Sequence, residues 1–319
     1  MKKGVKFAIG TVTGASAVLG AAGYIAFMEL MSNKAKLTPY LGKLFDKPGE
    51  GAIEFDDSKP DKRKEWFFAQ ELERHELLSE RGERLRGYLL KADKPSDVYV
   101  FCIHGYRGEG KTEFRYSAKF FHDKGYNVFL VDHQAAGESD GTYITFGHYE
   151  HRNCLKWLEY LNDIYGKNIR IIIYGISMGS ATAMLMTGNE KLPENVRFTI
   201  ADCGYTSMWN EISHNLNGIG KLKVPVLGIL NGINRAVLGF DFKDVNPIDA
   251  IKNAKIPMLF IHGSADDFVP CFMVHELYDA CASEHKEKLI IKNAAHGISY
   301  MIDSETYENK VNEFIGKYL

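Results

Sequence analysis

Residues 169–186 read IRIIIYGISMGSATAMLM, and this stretch decides the fold of the 319-residue chain. The run Ile169–Tyr174 is almost entirely apolar, which is typical of a strand buried on both faces, and the residues after Gly179 are typical of a helix. Between them, residues 175–179 match the G-x-S-x-G pattern of a sharp turn from strand to helix. Such a turn raises its serine hydroxyl above the end of the sheet. Ser177 is therefore the candidate nucleophile.

The rest of the chain repeats this alternation of short apolar runs and helical segments. Further buried strands are predicted at Val98–Ile103, Val128–Val131, Val196–Ala201, Met258–Ile261 and Leu289–Ile291. Strands that alternate with helices predict an α/β fold with a doubly wound, mostly parallel sheet covered by helices on both faces. Sheets of this kind bind ligands at the carboxyl ends of their strands.

A serine hydroxyl is a poor nucleophile until a base removes its proton, so a base is expected after one of the later strands. Residues 262–270, HGSADDFVP, follow one predicted strand and supply carboxylates. Residues 292–297, KNAAHG, follow the next strand and supply His296. The order Ser, Asp, His is that of a catalytic triad, in which His296 takes the proton from Ser177 and an aspartate orients the imidazole.

These residues resemble motifs of the α/β-hydrolase superfamily, and within it those of the serine-aminopeptidase-like and cell-surface hydrolases of Gram-positive bacteria. The resemblance covers the chain from about residue 70 to the C-terminus. The matching segments are His104-Gly105, Gly137–Gly141, Gly175–Gly179, Asp202–Ser207, Asn246-Pro247, His262–Pro270 and Ala295-His296.

The resemblance implies the roles of individual residues. The acid of the superfamily falls on Asp266, which gives the triad Ser177, Asp266 and His296. The backbone N–H groups of Tyr106 and Met178 would form the oxyanion hole. The residues alone leave two other acids open, because Asp267 adjoins Asp266 and Asp202 also ends a predicted strand.

A second motif favours a different class of protein. Residues 105–112, GYRGEGKT, match the phosphate-binding pattern G-x-x-x-x-G-K-[ST], and the strand at 128–132 ends in an aspartate. A nucleotide-binding protein is therefore a remote alternative, although it gives no reason for the turn at Ser177 or for the later Asp and His. In the hydrolase interpretation, the same glycines let the loop turn its N–H groups towards an oxyanion.

Composition argues against several further classes. The net charge is -2, so no basic surface for nucleic acid is expected. The five cysteines form no close pair, and His148, Glu150 and His151 do not have the spacing of a known metal motif. We predict no cofactor and no metal, and the expected partner is a small-molecule ester or acyl substrate.

The N-terminus differs from the rest of the chain. Three lysines precede the uncharged stretch Phe7–Met28, whose 22 residues are long enough to cross a bilayer as a helix. We predict that residues 1–31 are a membrane anchor or an uncleaved signal segment, residues 32–65 a linker and residues 66–319 the hydrolase domain. The lysines favour an extracytoplasmic catalytic domain. A cleaved signal peptide stays an alternative, because small residues occur around Gly20–Gly23.

The strand–helix alternation breaks at about residues 207–247, where we predict a small lid insertion, with ordinary packing helices as the alternative. Its apolar middle, VPVLGIL at 224–230, is expected to line or cover an acyl pocket. The sequence therefore predicts a carboxylesterase for short to medium acyl chains. The alternatives are a serine aminopeptidase or another acyl hydrolase, and a catalytically inactive binding protein. An aminopeptidase should offer clustered carboxylates to a substrate ammonium group, whereas Glu211, Asp241 and Asp244 are spread apart.

Overall fold

A computed structural model of the chain describes residues 20–33 and 49–319. Its centre is an eight-stranded sheet in the order β1-β2-β4-β3-β5-β6-β7-β8. The strands are β1 (Glu73–Leu78), β2 (Arg84–Leu90), β3 (Val98–Ile103), β4 (Asn127–Asp132), β5 (Arg170–Ile176), β6 (Val196–Asp202), β7 (Met258–Gly263) and β8 (Lys286–Ile291). Strand β2 pairs antiparallel with β1 and β4, and every other pair is parallel. The predicted mostly parallel α/β fold is confirmed.

Helices cover both faces of this sheet. They are α1 (Lys62–Phe68), α2 (Gly110–Glu113), α3 (Ala118–Asp123), α4 (Glu150–Tyr165), α5 (Met178–Thr187), α6 (Met208–Asn215), α7 (Lys223–Leu238), α8 (Pro247–Ala250), α9 (Phe272–Ala280), α10 (Ser299–Ile302) and α11 (Ser304–Tyr318). Short 3₁₀ helices lie at Asn217–Leu222, Phe242–Asp244 and Ile251–Asn253.

Strand β3 shows why the central strands are apolar throughout. Successive side chains of a strand point to opposite faces of the sheet. Val100 and Cys102 therefore enter the core beneath α1, α3 and α11, whereas Phe101 and Ile103 enter the core beneath α4 and α5. All six residues of β3 are buried, so the strand has no polar face. This burial fixes the sheet whose carboxyl edge carries the site.

The predicted insertion at 207–247 folds as α6, a 3₁₀ turn, α7 and a second 3₁₀ turn between β6 and β7. The apolar middle was expected to line or cover the acyl pocket, and the lining is contradicted, because no residue of 224–230 lines the cavity at Ser177. Leu227 and Leu230 of α7 are buried in the apolar core, and Val224 is 72% exposed. The cavity at Ser177 is lined by residues of α6 instead, because the buried face of α7 packs against the domain beside the serine.

The segment that we call the strap, residues 20–33, lies across the carboxyl edge of the sheet. It is helical over residues 20–31, and Ser32 forms an antiparallel bridge with Tyr143. Phe27 and Met31 are completely buried and Leu30 is 5% exposed. These side chains belong to the same apolar cluster as Met178, the residue that follows the candidate nucleophile. The end of the predicted anchor segment therefore packs on the hydrolase domain.

The described part of the predicted linker, residues 49–65, also contacts the domain. Gly49 donates a backbone hydrogen bond to the carbonyl of Ala265 at 3.1 Å, and Ile53 donates one to Asn293 at 2.8 Å. Among residues 20–33 and 49–319, no helix is long and apolar enough to cross a membrane. The predicted span Phe7–Met28 lies mostly outside the described residues and stays a prediction.

Candidate active site

Ser177 sits in a strained turn between β5 and α5. Its φ of 56° and ψ of -119° lie where residues with a side chain are rarely found. Two glycines make the turn possible. A Cβ on Gly179 would stand 1.9 Å from the carbonyl oxygen of Ile103, and one on Gly175 would stand 2.3 Å from the carbonyl oxygen of Gly179. The G-x-S-x-G pattern is thus explained by the close approach of the backbone on both sides of the serine.

The loops after β7 and β8 bring the predicted base and acid to this serine. The Nε2 atom of His296 lies 2.7 Å from the Oγ atom of Ser177. The Nδ1 atom of His296 lies 2.7 Å from the Oδ2 atom of Asp266. The three residues form one continuous chain of hydrogen bonds, although 119 positions separate Ser177 from His296. The arrangement can pass a proton from the hydroxyl to the imidazole.

The pKa shifts of Asp266 and His296 are those expected for a hydrogen-bonded carboxylate and imidazole. Burial by itself raises the pKa of the Asp266 carboxyl, but His296 and the hydrogen bonds of His262 and His296 outweigh it and hold that pKa well below its ordinary value. Burial opposes protonation of His296, yet the nearby Asp266 charge, with a smaller effect of Cys203, raises the pKa of the imidazole well above 6.5. Asp266 therefore stays ionised beside His296.

Neither alternative acid contacts His296 through a hydrogen bond. The Asp267 side chain is exposed, and its backbone carbonyl accepts a hydrogen bond from His214 at 3.0 Å. Asp202 is buried and accepts a hydrogen bond from the Tyr307 hydroxyl at 3.0 Å. Of the three candidates, only Asp266 is brought together with the histidine.

Tyr106 and Met178, the implied oxyanion residues, line the same small cavity as Ser177. Met178 opens helix α5, where backbone N–H groups have no partner within the helix and the helix dipole favours negative charge. The backbone before Tyr106 comes close to the serine, since a Cβ on Gly105 would stand 3.2 Å from the Ser177 Cβ. The cavity therefore combines the serine with both loops that the resemblance assigns to the oxyanion hole.

The structure accounts for the phosphate-binding motif without a nucleotide. The Gly110 N–H donates to Asp132 at 2.9 Å, and the Lys111 ammonium donates to Glu138 at 2.9 Å. Asp132 also accepts from the Glu138 N–H at 3.0 Å. The loop thus turns its lysine towards Glu138 and one N–H towards Asp132, and the helix that begins at Gly110 has only four residues. These contacts fix the loop beside Tyr106.

Within residues 20–33 and 49–319, one group of three side chains could hold a metal ion. Ligand atoms of Cys203, Asp266 and His296 lie within 4.8 Å of one another. Two of these residues, Asp266 and His296, are hydrogen-bonded to each other and are the predicted acid and base. Glu150, from the motif considered for a metal, is completely buried and accepts hydrogen bonds from Thr145 and Gly147. Its carboxylate holds the loop before α4.

Three contacts of the site were not predicted from the sequence. Leu30 of the strap lines the cavity at Ser177. Glu211 of α6 lines it too, is 3% exposed and has no hydrogen-bond partner at its Oε2 atom. His262, which ends β7, lies 3.2 Å from Asp266 through its Nε2 atom. Each of these contacts joins separate elements of the fold, so local sequence does not reveal it. The exception is His262, because its position four residues before Asp266 could have suggested that the two side chains meet.

Curated relatives of the chain come from bacteria and eukaryotes. The uncharacterized protein YqkD of Bacillus subtilis is 28% identical over 235 residues, which cover 73% of this chain and 76% of YqkD. The α/β hydrolase domain-containing protein WAV2 of Arabidopsis thaliana is 27% identical over 199 residues, which cover 60% of this chain and 61% of WAV2.

Solved structures share the fold. The esterase Pf2001 of Pyrococcus furiosus superposes with a TM-score of 0.63 at 22% identity, over 85% of this chain and 98% of the esterase. An acylaminoacyl peptidase of Pyrococcus horikoshii superposes with a TM-score of 0.57 at 18% identity, over 81% of this chain and 43% of the peptidase.

The sheet, the turn at Ser177 and these structural matches place the chain in the α/β-hydrolase superfamily, as the resemblance implied. Within it, the chain belongs to the prolyl oligopeptidase family, whose sequence profile matches residues 112–319.

Proposed function

We propose that the protein is a serine hydrolase that cleaves carboxylic esters through an acyl-enzyme intermediate on Ser177. One observation carries the proposal. His296 lies 2.7 Å from both the Ser177 hydroxyl and the Asp266 carboxylate, at the carboxyl edge of the sheet. A nucleophile, a base and an orienting acid in this series are what acyl transfer at neutral pH requires.

The reaction follows from the positions of these groups. As the Ser177 oxygen attacks the acyl carbonyl carbon, His296 accepts the hydroxyl proton, and Asp266 stabilises the imidazolium. The negative charge on the carbonyl oxygen is met by the N–H groups of Tyr106 and Met178. Loss of one such donor costs roughly 3–4 kcal/mol of barrier in comparable sites. His296 then gives its proton to the leaving alcohol, and a water molecule releases the acid by the same steps in reverse.

The walls of the cavity support an acyl substrate. The cavity that contains Ser177 is lined by four buried apolar residues, which are Phe146, Met178, Tyr205 and Ile212. Apolar walls of this kind suit an uncharged acyl chain, since each buried methylene adds roughly 0.8 kcal/mol of binding. The likeness to an esterase supports the same substrate class.

One residue favours aminopeptidase activity as a second candidate. Burial raises the pKa of Glu211 to about 8, which matches the range of about 7.7–8 for a peptide α-amino group. Glu211 holds Asn215 through Oε1 at 2.7 Å, while Oε2 has no hydrogen-bond partner. A substrate amine could share one proton with this carboxyl group inside the cavity.

The two candidates are separated by kcat/KM for p-nitrophenyl butyrate against alanine p-nitroanilide on one preparation. Ester hydrolysis predicts faster turnover of the butyrate, and Glu211→Gln should then change both rates by less than threefold. If the anilide is faster and Glu211→Gln lowers its turnover at least tenfold, the aminopeptidase is the better assignment. Glu190→Gln, an exposed residue on the loop after α5, is the matched control.

A binding protein with an inactive site makes a different prediction. A fluorophosphonate reacts when an activated serine attacks its phosphorus and fluoride leaves. The hydrolase should be labelled at Ser177, and labelling should be lost in Ser177→Ala. Absence of both labelling and hydrolysis across a broad ester panel would favour the binding protein.

A further inference from the structure

The strap is attached to the hydrolase domain next to the catalytic serine. The Tyr106 hydroxyl donates a hydrogen bond to the carbonyl of Leu30 at 2.6 Å. Arg107 donates to the carbonyls of Glu29 and, at 3.0 Å, Ser32. Two adjacent residues, Tyr106 and Arg107, therefore hold three backbone carbonyl groups within about one turn at the C-terminal end of the strap.

A second loop holds the same C-terminal end of the strap. The backbone N–H of Ile144 donates to the carbonyl of Met31 at 2.6 Å, and the Asn33 side chain donates to the carbonyl of Ala135. Phe27 packs against the Tyr143 ring with 6.1 Å between ring centroids. The strap is thus seated by polar contacts at its end and by apolar side chains along its buried face.

The seated strap leaves almost no space above the nucleophile. The cavity that contains Ser177 has a volume of about 10 Å³, which is room for about one water molecule. An acyl group and an alcohol cannot both fit there. Within the described ranges 20–33 and 49–319, Leu30 is the one lining residue that comes from outside the hydrolase domain. Its side chain occupies space that an acyl chain would need.

We propose that the strap is a removable wall of the acyl pocket: Leu30 closes the pocket in the seated state, and substrates with acyl chains reach Ser177 only when residues 27–33 move away. The alternative wall is α6, which contributes Ile212 and Asn215 to the same cavity. Helix α6 is tied to the domain at its start, because it follows β6 closely and the N–H of its first residue, Met208, donates to the carbonyl of Val245 at 3.0 Å. The strap, in contrast, does not directly follow a strand of the sheet. It is held by the contacts described above.

A reversible crosslink tests this proposal in the full chain. Ser32 and Tyr143 are partners in an antiparallel bridge, where Cα atoms stand roughly 4.5–5.5 Å apart, within the range of a disulfide. The double variant Ser32→Cys/Tyr143→Cys can therefore be locked by oxidation. With the disulfide verified by mass, kcat/KM for p-nitrophenyl butyrate should fall at least tenfold, as should the rate of fluorophosphonate labelling. Dithiothreitol should restore both. Ser32→Cys alone, treated with the same oxidant, controls for oxidation of the native cysteines.

A second variant tests the wall itself. Leu30→Ala should raise kcat/KM for p-nitrophenyl hexanoate at least fivefold and should raise it more for hexanoate than for acetate. Leu78→Ala, at an exposed position on β1, is the matched control and should leave both rates unchanged.

An oxidised double variant that keeps the rates of its reduced form would overturn the proposal, because the strap would then not need to move. The labelling rate separates this result from a failure of the proposed ester hydrolysis. If the reduced protein is labelled at Ser177 but cleaves no ester, the substrate assignment is wrong, and the effect of the crosslink on labelling still decides the role of the strap.

Discussion

His262 contacts Asp266 through the same oxygen, Oδ2, that Asp266 offers to His296, at distances of 3.2 Å and 2.7 Å. The other oxygen of Asp266 accepts the backbone N–H groups of Phe268 and Val269 at 3.1 Å and 2.9 Å. Both carboxylate oxygens are therefore held by donors, and the side chain is completely buried. These contacts fix the carboxylate in one orientation and favour its charged form.

The first prediction concerns the choice of acid. Asp266→Asn should lower kcat for p-nitrophenyl butyrate by about 10³–10⁴, because it removes the group that orients and stabilises protonated His296. Asp267→Asn should change kcat by less than threefold, since its exposed side chain does not contact the triad. Equal losses in the two variants would contradict the assignment. Ser177→Ala and His296→Ala should each abolish turnover.

The second prediction concerns pH. Asp266 raises the pKa of His296, and only neutral imidazole can accept the serine proton. The acid limb of kcat/KM should therefore lie above pH 6.5, with activity rising as pH increases through it. In the residual activity of Asp266→Asn, the limb should move to lower pH, because the charge that favours imidazolium is gone. A limb that stays in place would show that another group titrates.

The third prediction concerns stability. Asp202 is 2% exposed, and burial raises its pKa from 3.8 to about 7. The folded state then binds the proton more tightly than the unfolded state, so this carboxyl lowers the free energy of unfolding as pH rises from about 4 to 7. The decrease between pH 5 and pH 7 is about 2 kcal/mol.

Asp202→Asn removes this titration. Its free energy of unfolding, relative to that of the original protein, should therefore increase by about 2 kcal/mol between pH 5 and pH 7. Urea unfolding at the two pH values measures the difference. A difference that does not change with pH would mean that Asp202 is ionised in the folded state at pH 5.

The fourth prediction concerns the membrane. We propose that the uncharged N-terminal stretch that begins at Phe7 anchors the protein and that the catalytic domain faces outward, as the lysines before Phe7 favour. The full chain should sediment with membranes and resist extraction by high salt, and a variant without residues 2–19 should be released. Protease added to intact cells should digest the domain. A domain that stays intact until the cells are lysed would reverse the orientation.

Local sequence was sufficient to predict the sheet and the sharp turn at Ser177. Val98–Ile103 was predicted as a strand and is one, because buried strands are apolar at every position. The turn at Ser177 could be predicted because its glycines are required by backbone contacts made locally. A side chain at Gly179, for example, would clash with the carbonyl oxygen of Ile103. Features of this kind leave the same pattern in any sequence that adopts them.

The contents of the pocket could not be predicted, because they depend on contacts between distant elements. Leu30 looks like any other apolar residue near the end of an anchor, and Tyr106 meets it across 76 positions. Glu211 lies in an ordinary polar stretch, and only the packing of α6 reveals that its carboxyl group is buried. The apolar run of α7 was misplaced for the same reason, since hydrophobicity does not say which surface covers a side chain.

The strap also limits how far the N-terminus can be shortened in a recombinant protein. Phe27, Leu30 and Met31 cover Met178, Phe146 and other apolar side chains around the serine. A recombinant fragment that begins at residue 66 would leave this surface open to water, and apolar patches of this kind promote aggregation. Expression trials of the soluble enzyme should therefore start near residue 20 rather than at the apparent domain boundary. The strap thus protects the catalytic domain from aggregation by covering its apolar surface.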